Sequence, residues 1–196
     1  MRGWLEGKGF YNAARAHEYM RQLEQGVRKD SITPKSHHQL SVVRLLATLL
    51  PHFAYPETTL AAAFLHDARE DHVEVTHAFL VSEFGVGVAD AVWVLSKKTP
   101  TLVKTPEAYF TALGKCPIGS LVKLADRAHN IQTMVGVFSL EKQKAYLEEL
   151  NTWFFPMEKA ARRNFPSQYQ AYENLKILLR CQASLIGHLH EEMSEE

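Results

Sequence analysis

The sequence predicts an all-α fold, an orthogonal helical bundle in a single domain. Two observations predict it. Apolar residues recur at helical spacing along most of the chain, and proline or glycine breaks separate these runs into helix-length pieces. No segment shows the apolar-polar alternation of a half-buried strand, and no internal repeat or low-complexity stretch interrupts the pattern.

The elements follow in order. Residues 11–25 place apolar or small side chains at helical spacing, and Gly26 ends that run. RKDSITPKS is a polar, turn-rich loop. A helix from His38 to Leu50 is stopped by Pro51, and Pro56-Glu57 opens the next, which runs to Arg69. A short helix over 76–83 ends before Gly85. FGVGVAD then contains Gly-x-Gly, but no strand precedes it and no third glycine follows, so it reads as a turn between helices rather than a dinucleotide loop. Residues 86–97 form an apolar helix, and KKTPTLVKTP is a basic, proline-punctuated loop. Helices follow over 106–113 and 118–134, broken by GKCPIG, and two long helices near 140–163 and 168–190 flank Pro166. EEMSEE, residues 191–196, reads as a frayed acidic tail.

At 196 residues the chain is expected to bury one sizeable core. Its 22 basic and 22 acidic residues cancel, so general attraction to nucleic acid or to an anionic membrane is not supported. No apolar run is long enough to span a bilayer, and the first residues are too mixed in polarity for a signal peptide. Cys116 and Cys181 are too far apart to suggest a zinc knuckle and too few for a disulfide framework. They read as buried, reduced thiols, and the chain as cytoplasmic.

Two apolar helices carry charges that need a use. LAAAFLHDARED places His66-Asp67 and Glu70-Asp71 in an apolar run, and LVKLADRAHN places Asp126 in another. Burying unpaired charge costs several kcal/mol or more, so convergence on a cation, most simply a divalent metal, is the expected use. On a continuous helix His66 and Glu70 share one face, and Asp67 and Asp71 share a face about 100° away. Asp126 and Asn130 share a face of their own helix. Imidazole with carboxylate suits Mn, Fe, Zn or Co rather than Ca. A metal with open positions acidifies a bound water and polarises a phosphoryl oxygen. His66 and Asp67 fit as ligands, with Glu70 and Asp71 working on the nucleophile; a further histidine is wanted, and His37 and His38 are both candidates. Arg28, Lys29, Lys97, Lys98, Lys123 and Arg127 lie near these motifs in sequence. They suit a phosphate-bearing ligand, though Lys123 and Arg127 equally suit local neutralisation of acid.

These segments together resemble the HD-domain hydrolases of the RelA/SpoT kind. VKLADRAHN is the most specific part, supported by FGVGVADAVWVLSKK and by RKDSITPKSHHQ ahead of the first histidine. The match covers residues 10–135; beyond it the helices near 140–190 resemble the small single-domain members, metazoan SpoT homologues among them, only in being helical. The resemblance implies one HD phosphohydrolase domain over 1–196 and one Mn²⁺, held by His38, His66, Asp67 and Asp126, with Zn²⁺, Fe²⁺ or Co²⁺ as alternatives. It implies that Glu70 and Asp71 activate or orient water, that Arg28 and Lys29 contact base and phosphates, and that Asn130 lies against the ribose. Lys98 and Arg127 are added here as further substrate contacts. The activity implied is hydrolysis of the 3′-pyrophosphate of (p)ppGpp to GDP or GTP and pyrophosphate. Bifunctional members carry a synthetase domain after the hydrolase; this sequence ends before one, so a small alarmone hydrolase is expected. Oligomeric state stays open, a homodimer included.

The chain departs from that family where the usual His-Pro is His38-Gln39, where Arg69 replaces an apolar residue, and where Lys35 and Ser36 replace tyrosine and isoleucine. These departures bear on base specificity rather than on metal binding. Two other readings remain: a phosphohydrolase of deoxynucleotides or of another 3′-phosphorylated nucleotide, and a non-enzymatic nucleotide sensor.

Overall fold

The computed structural model describes residues 1–28, 31–99 and 101–195, the side chains of 192–195 excepted. It is an all-helical bundle with one two-stranded hairpin. The helices are α1 (Arg2–Gly7), α2 (Tyr11–Leu23), α3 (Ser36–Ala47), α4 (Pro56–Phe64), α5 (Ala68–Asp71), α6 (His77–Phe84) and α7 (Val86–Leu95). After the hairpin of β1 (Lys98–Thr99) and β2 (Leu102–Val103) come α8 (Pro106–Gly114), α9 (Pro117–Gln132), α10 (Leu140–Glu149), α11 (Phe155–Asn164) and α12 (Tyr169–Glu195).

Local chemistry sets these boundaries. Proline opens α4, α8, and α9, where its missing N–H is not needed. Thr76 and Thr105 accept hydrogen bonds from Phe79 N and Ala108 N at 3.1 and 3.3 Å, capping α6 and α8. Gly85, at φ 84°, lets α6 turn directly into α7, so Gly-x-Gly here is a helix junction as expected.

Helix α9 is the centre of the molecule. Leu121, Val122, Leu124, Ala125 and Ile131 are fully buried on it, against α3, α4, α7, α8, α11 and α12. Truncating a fully buried leucine such as Leu124 to alanine costs about 2–5 kcal/mol. Because α3, α4 and α9 pack on one another, the residues they carry are brought together although far apart in sequence.

Several expectations are corrected. Phe64, not Arg69, ends α4: Leu65–Asp67 form a turn and α5 is a separate short helix. The basic loop contains an antiparallel hairpin, Lys98 opposite Val103 and Thr99 opposite Leu102, too short to show alternation. The helix over 140–163 widens to a π-helical turn at Leu150–Phe154, beside Pro156. The short helix α1 was not anticipated, α12 continues to Glu195, and of the two cysteines expected to be buried Cys116 is half-buried and Cys181 is exposed on α12. No helix among the described residues is long and apolar enough to cross a membrane.

Candidate functional site

His38 comes from the first turn of α3, His66 and Asp67 from the turn after α4, and Asp126 from the middle of α9. His38 Nε2 and His66 Nε2 are 3.2 Å apart. Asp126 Oδ1 lies 3.1 Å from His38 Nε2 and 3.7 Å from His66 Nε2, while Asp67 Oδ2 lies 3.1 Å from His66 Nε2 and 3.8 Å from His38 Nε2. His38, His66 and Asp126 are at least 95 % buried (5 %, 2 % and 4 % exposed), and Asp67 is half-buried.

Hydrogen bonding fixes which ring atoms are free. The ring nitrogen His66 Nδ1 is 2.8 Å from Ala63 O. A carbonyl can only accept, so Nδ1 carries the proton, and a neutral His66 presents the lone pair of Nε2 to the two carboxylates. His38 Nδ1 is 2.8 Å from His129 Nδ1. Burial first, with the nearby Arg28 charge, pushes His129 down to about 4, so it is neutral and able to accept from His38. A neutral His38 that donates from Nδ1 presents the lone pair of Nε2 as well. Two imidazole lone pairs and two carboxylate oxygens facing one another repel unless a cation or a proton stands among them. His66 shows the demand: burial alone would lower its pKa, yet Asp67 and Asp126 outweigh that and hold it well above its ordinary value. The donor set of His38, His66 and Asp67, with ligand atoms within 4.8 Å of one another, could hold a metal ion.

Further residues hold this cluster. Lys123 Nζ pairs with Asp126 Oδ2 at 2.8 Å, and Asn130 Nδ2 donates to Asp126 Oδ1 at 2.6 Å. Against the opposing effect of burial, Lys123 and His38 hold the Asp126 carboxyl well below the usual range. Gln39 Nε2 lies 3.5 Å from Asp67 Oδ2, a contact proline could not make, while Gln39 Oε1 is buried without a partner among the described residues.

Beside the cluster opens a cavity of about 390 Å³, lined in part by His38, Asp67, Asp71, Arg28, Asn130 and Tyr146. Pairing of Arg28 N with Thr33 O at 2.8 Å, and of Lys35 N with Gly26 O at 3.1 Å, draws residues 26–28 against 33–35, and Arg28 and Lys35 both line the cavity. Arg28 Nη2 lies 3.5 Å from Asn130 Oδ1. Lys29 lies outside the described residues.

The structure separates Glu70 from Asp71. Asp71 lines the cavity, whereas Glu70 Oε1 accepts the backbone N–H groups of Lys97 and, at 3.3 Å, Lys98. Lys98 is exposed in β1 and does not line the cavity. Arg127 is likewise elsewhere: it pairs with Glu149 and lies 4.2 Å from the ring centroids of both Tyr146 and Phe154. Arg69 sits over Trp93 at 4.3 Å. The sequence reading did not single out His129, Gln39 or Glu24 for the site. His129 carries a signal in retrospect, standing three positions after Asp126 on the same helix face.

No family model matches the chain. It is 30 % identical over 199 residues, 96 % of its length, to a probable chloroplastic GTP diphosphokinase (RSH3) of Arabidopsis thaliana, of which that match covers 25 %. A second such protein of that plant (RSH2) is 29 % identical over 95 % of this chain and 25 % of its own. A GTP pyrophosphokinase of Streptomyces antibioticus is 32 % identical over 73 % of this chain and 17 % of its own. The chain spans about a quarter of the length of these plant relatives. Along nearly its whole length, the chain is therefore similar to one part of much longer enzymes of the RelA/SpoT family.

Proposed function

We propose that the chain is a metal-dependent phosphohydrolase that removes the 3′-pyrophosphate of (p)ppGpp, giving GDP or GTP and pyrophosphate. The observation that carries this is the meeting of two imidazole Nε2 atoms and two carboxylate oxygens at 3.1–3.8 Å beside a cavity of about 390 Å³. His38, His66, Asp67 and Asp126 would hold the metal, Mn²⁺ best suiting the resemblance. When bound, the ion supplies an acidified water and draws charge from the phosphoryl oxygens.

The chain's own residues do the rest. Asp71 stands in the cavity wall, placed to take a proton from the attacking water. Glu70, clasped by the β1 backbone, assists through its second carboxylate oxygen. Arg28 offers a forked donor set to phosphate or base, and Asn130 ties Arg28 to Asp126. His129 holds the His38 ring, and Gln39 steadies Asp67.

The relatives' names favour a second reading, transfer of a diphosphate to GTP. Those names belong to proteins of which this chain matches a quarter or less, and a ligand set that could hold one metal ion beside a cavity supports hydrolysis. One experiment decides between them. Purified protein with Mn²⁺ is incubated with ppGpp, with pppGpp, with a panel of deoxynucleoside triphosphates, and with ATP plus GTP, and the products are separated by chromatography. Pyrophosphate and GDP from ppGpp, abolished by EDTA, support the proposal. Product only from deoxynucleotides, or alarmone made from ATP and GTP, overturns it. Binding of ppGpp without turnover identifies a sensor.

A further inference from the structure

One carboxylate in the cavity wall has no part in the reaction proposed above. Glu24 follows the last residue of α2, is 6 % exposed, and lines the cavity. Its nearest described side-chain partner is His72 Nε2 at 3.4 Å, and the other ring nitrogen of His72 lies 3.7 Å from Glu74. Asp71 lines the same wall, so Glu24 stands beside like charge. A buried carboxylate so weakly partnered is costly unless something entering the cavity supplies a donor.

The chemistry of that donor is constrained. Phosphate is repelled by Glu24 and Asp71 and is drawn instead to Arg28 and Lys35 or to a cation in the His38–Asp126 cluster. A carboxylate with no anion to bind accepts O–H or N–H. Under the hydrolase reading, a nucleotide whose 3′-phosphoryl group reaches Asp67 carries its 2′-hydroxyl on the neighbouring sugar carbon. That O–H is the substrate donor nearest the reacting phosphorus, and Glu24 shares the wall with Asp67 and Asp71.

We infer that Glu24 accepts a hydrogen bond from the sugar 2′-hydroxyl and makes the site selective for ribonucleotides over 2′-deoxyribonucleotides. O–H to carboxylate bonds are short and about twice as strong as neutral ones. A 2′-deoxy substrate leaves the buried carboxylate unpaired, and sites built around a substrate hydroxyl reject analogues lacking it strongly. The inference rests on the hydrolase reading for the placement of the nucleotide.

The test compares wild type, Glu24→Gln and Glu24→Leu on guanosine 3′,5′-bis(diphosphate) and its 2′-deoxy counterpart in Mn²⁺. Wild type should prefer the ribose substrate by about 100-fold or more. Glu24→Leu should lose most of that preference, through a raised KM on the ribose substrate with little change on the deoxy one. Glu24→Gln keeps a neutral acceptor and should lose at least about fivefold. Equal use of both sugars by wild type overturns the inference. So does a variant that weakens both substrates alike, the mark of a residue that only holds His72. If Glu24→Leu fails to melt cooperatively, Glu24→Gln alone decides. Calorimetric binding of guanosine 3′-monophosphate and its 2′-deoxy form gives the same comparison without turnover. Should wild type release no pyrophosphate, the hydrolase reading fails, and a Glu24-dependent ribose preference in binding, or its absence, still decides this one.

Discussion

Lys123 Nζ lies 2.8 Å from one carboxylate oxygen of Asp126, and the other oxygen faces His38 Nε2 at 3.1 Å. One ammonium thus divides a buried carboxylate, holding Oδ2 and leaving Oδ1 to the histidines. Burial works against ionisation of Asp126; the charge of Lys123 is the first influence that overcomes it.

Replacing Lys123 with methionine should therefore raise the Asp126 pKa and weaken metal binding by about 10–100-fold, as loss of ligand-supporting partners does. A cation needs the ionised carboxylate, so a raised pKa lets protons compete at higher pH. The deficit should widen as pH falls from 8 to 5. Equilibrium dialysis with Mn²⁺ across that range checks it, and superimposable curves for the two proteins sink it.

Glu70→Ala should leave Mn²⁺ affinity nearly unchanged and cut turnover by about 10²–10⁴-fold, the usual loss of acid–base assistance. Asp71→Asn should do the same. Product release from ppGpp measures turnover and dialysis measures the metal. Full activity in Glu70→Ala would remove it from the mechanism.

Arg127 makes the opposite forecast. Caught between Tyr146 and Phe154 and paired with Glu149, it belongs to the packing of α9 on α10 and the π-helical turn. Arg127→Leu should lower stability by about 1–3 kcal/mol, through loss of cation–π contact and a stranded Glu149. The KM for nucleotide should stay within twofold, as thermal melting and steady-state kinetics can establish. A KM raised tenfold in a stably folded variant would return Arg127 to the substrate.

His17 links stability to pH. It is buried edge-on to Phe64 with Nδ1 unpartnered among the described residues, and burial lowers its pKa. The folded protein resists a proton that the unfolded chain accepts near the ordinary value of about 6.5. Stability from this residue is thus complete above that value and declines as pH falls below it, by at most about 1.4 kcal/mol per pH unit. His17→Phe should flatten the fall in Tm between pH 7 and 5. An unchanged slope would show that His17 takes up its proton as readily in the fold as in the unfolded chain.

The helical class and most element positions were legible because proline and glycine punctuate this sequence at real boundaries, as Pro56, Gly85, Pro106 and Pro117 illustrate. The meeting of His38, His66, Asp67 and Asp126 was anticipated by resemblance; spacing left His37 and His38 equal. Spacing also misled. His66 and Glu70 were expected on one helix face, but the turn at Leu65–Asp67 breaks that face and sends Glu70 toward β1. Arg127 was assigned to substrate from its place beside Asp126, when a helix turns adjacent residues about 100° apart. Glu24 gave no local signal, since its burial and its partner His72, just after α5, come from chain far from it in sequence.

The His66 ring ends a helix with one nitrogen and faces the carboxylates with the other. Occupancy of the cluster and fraying of α4 are therefore two readings of one equilibrium. Amide hydrogens in the last turn of α4 should exchange more slowly when Mn²⁺ is present, so exchange along that single turn can report the site without any nucleotide.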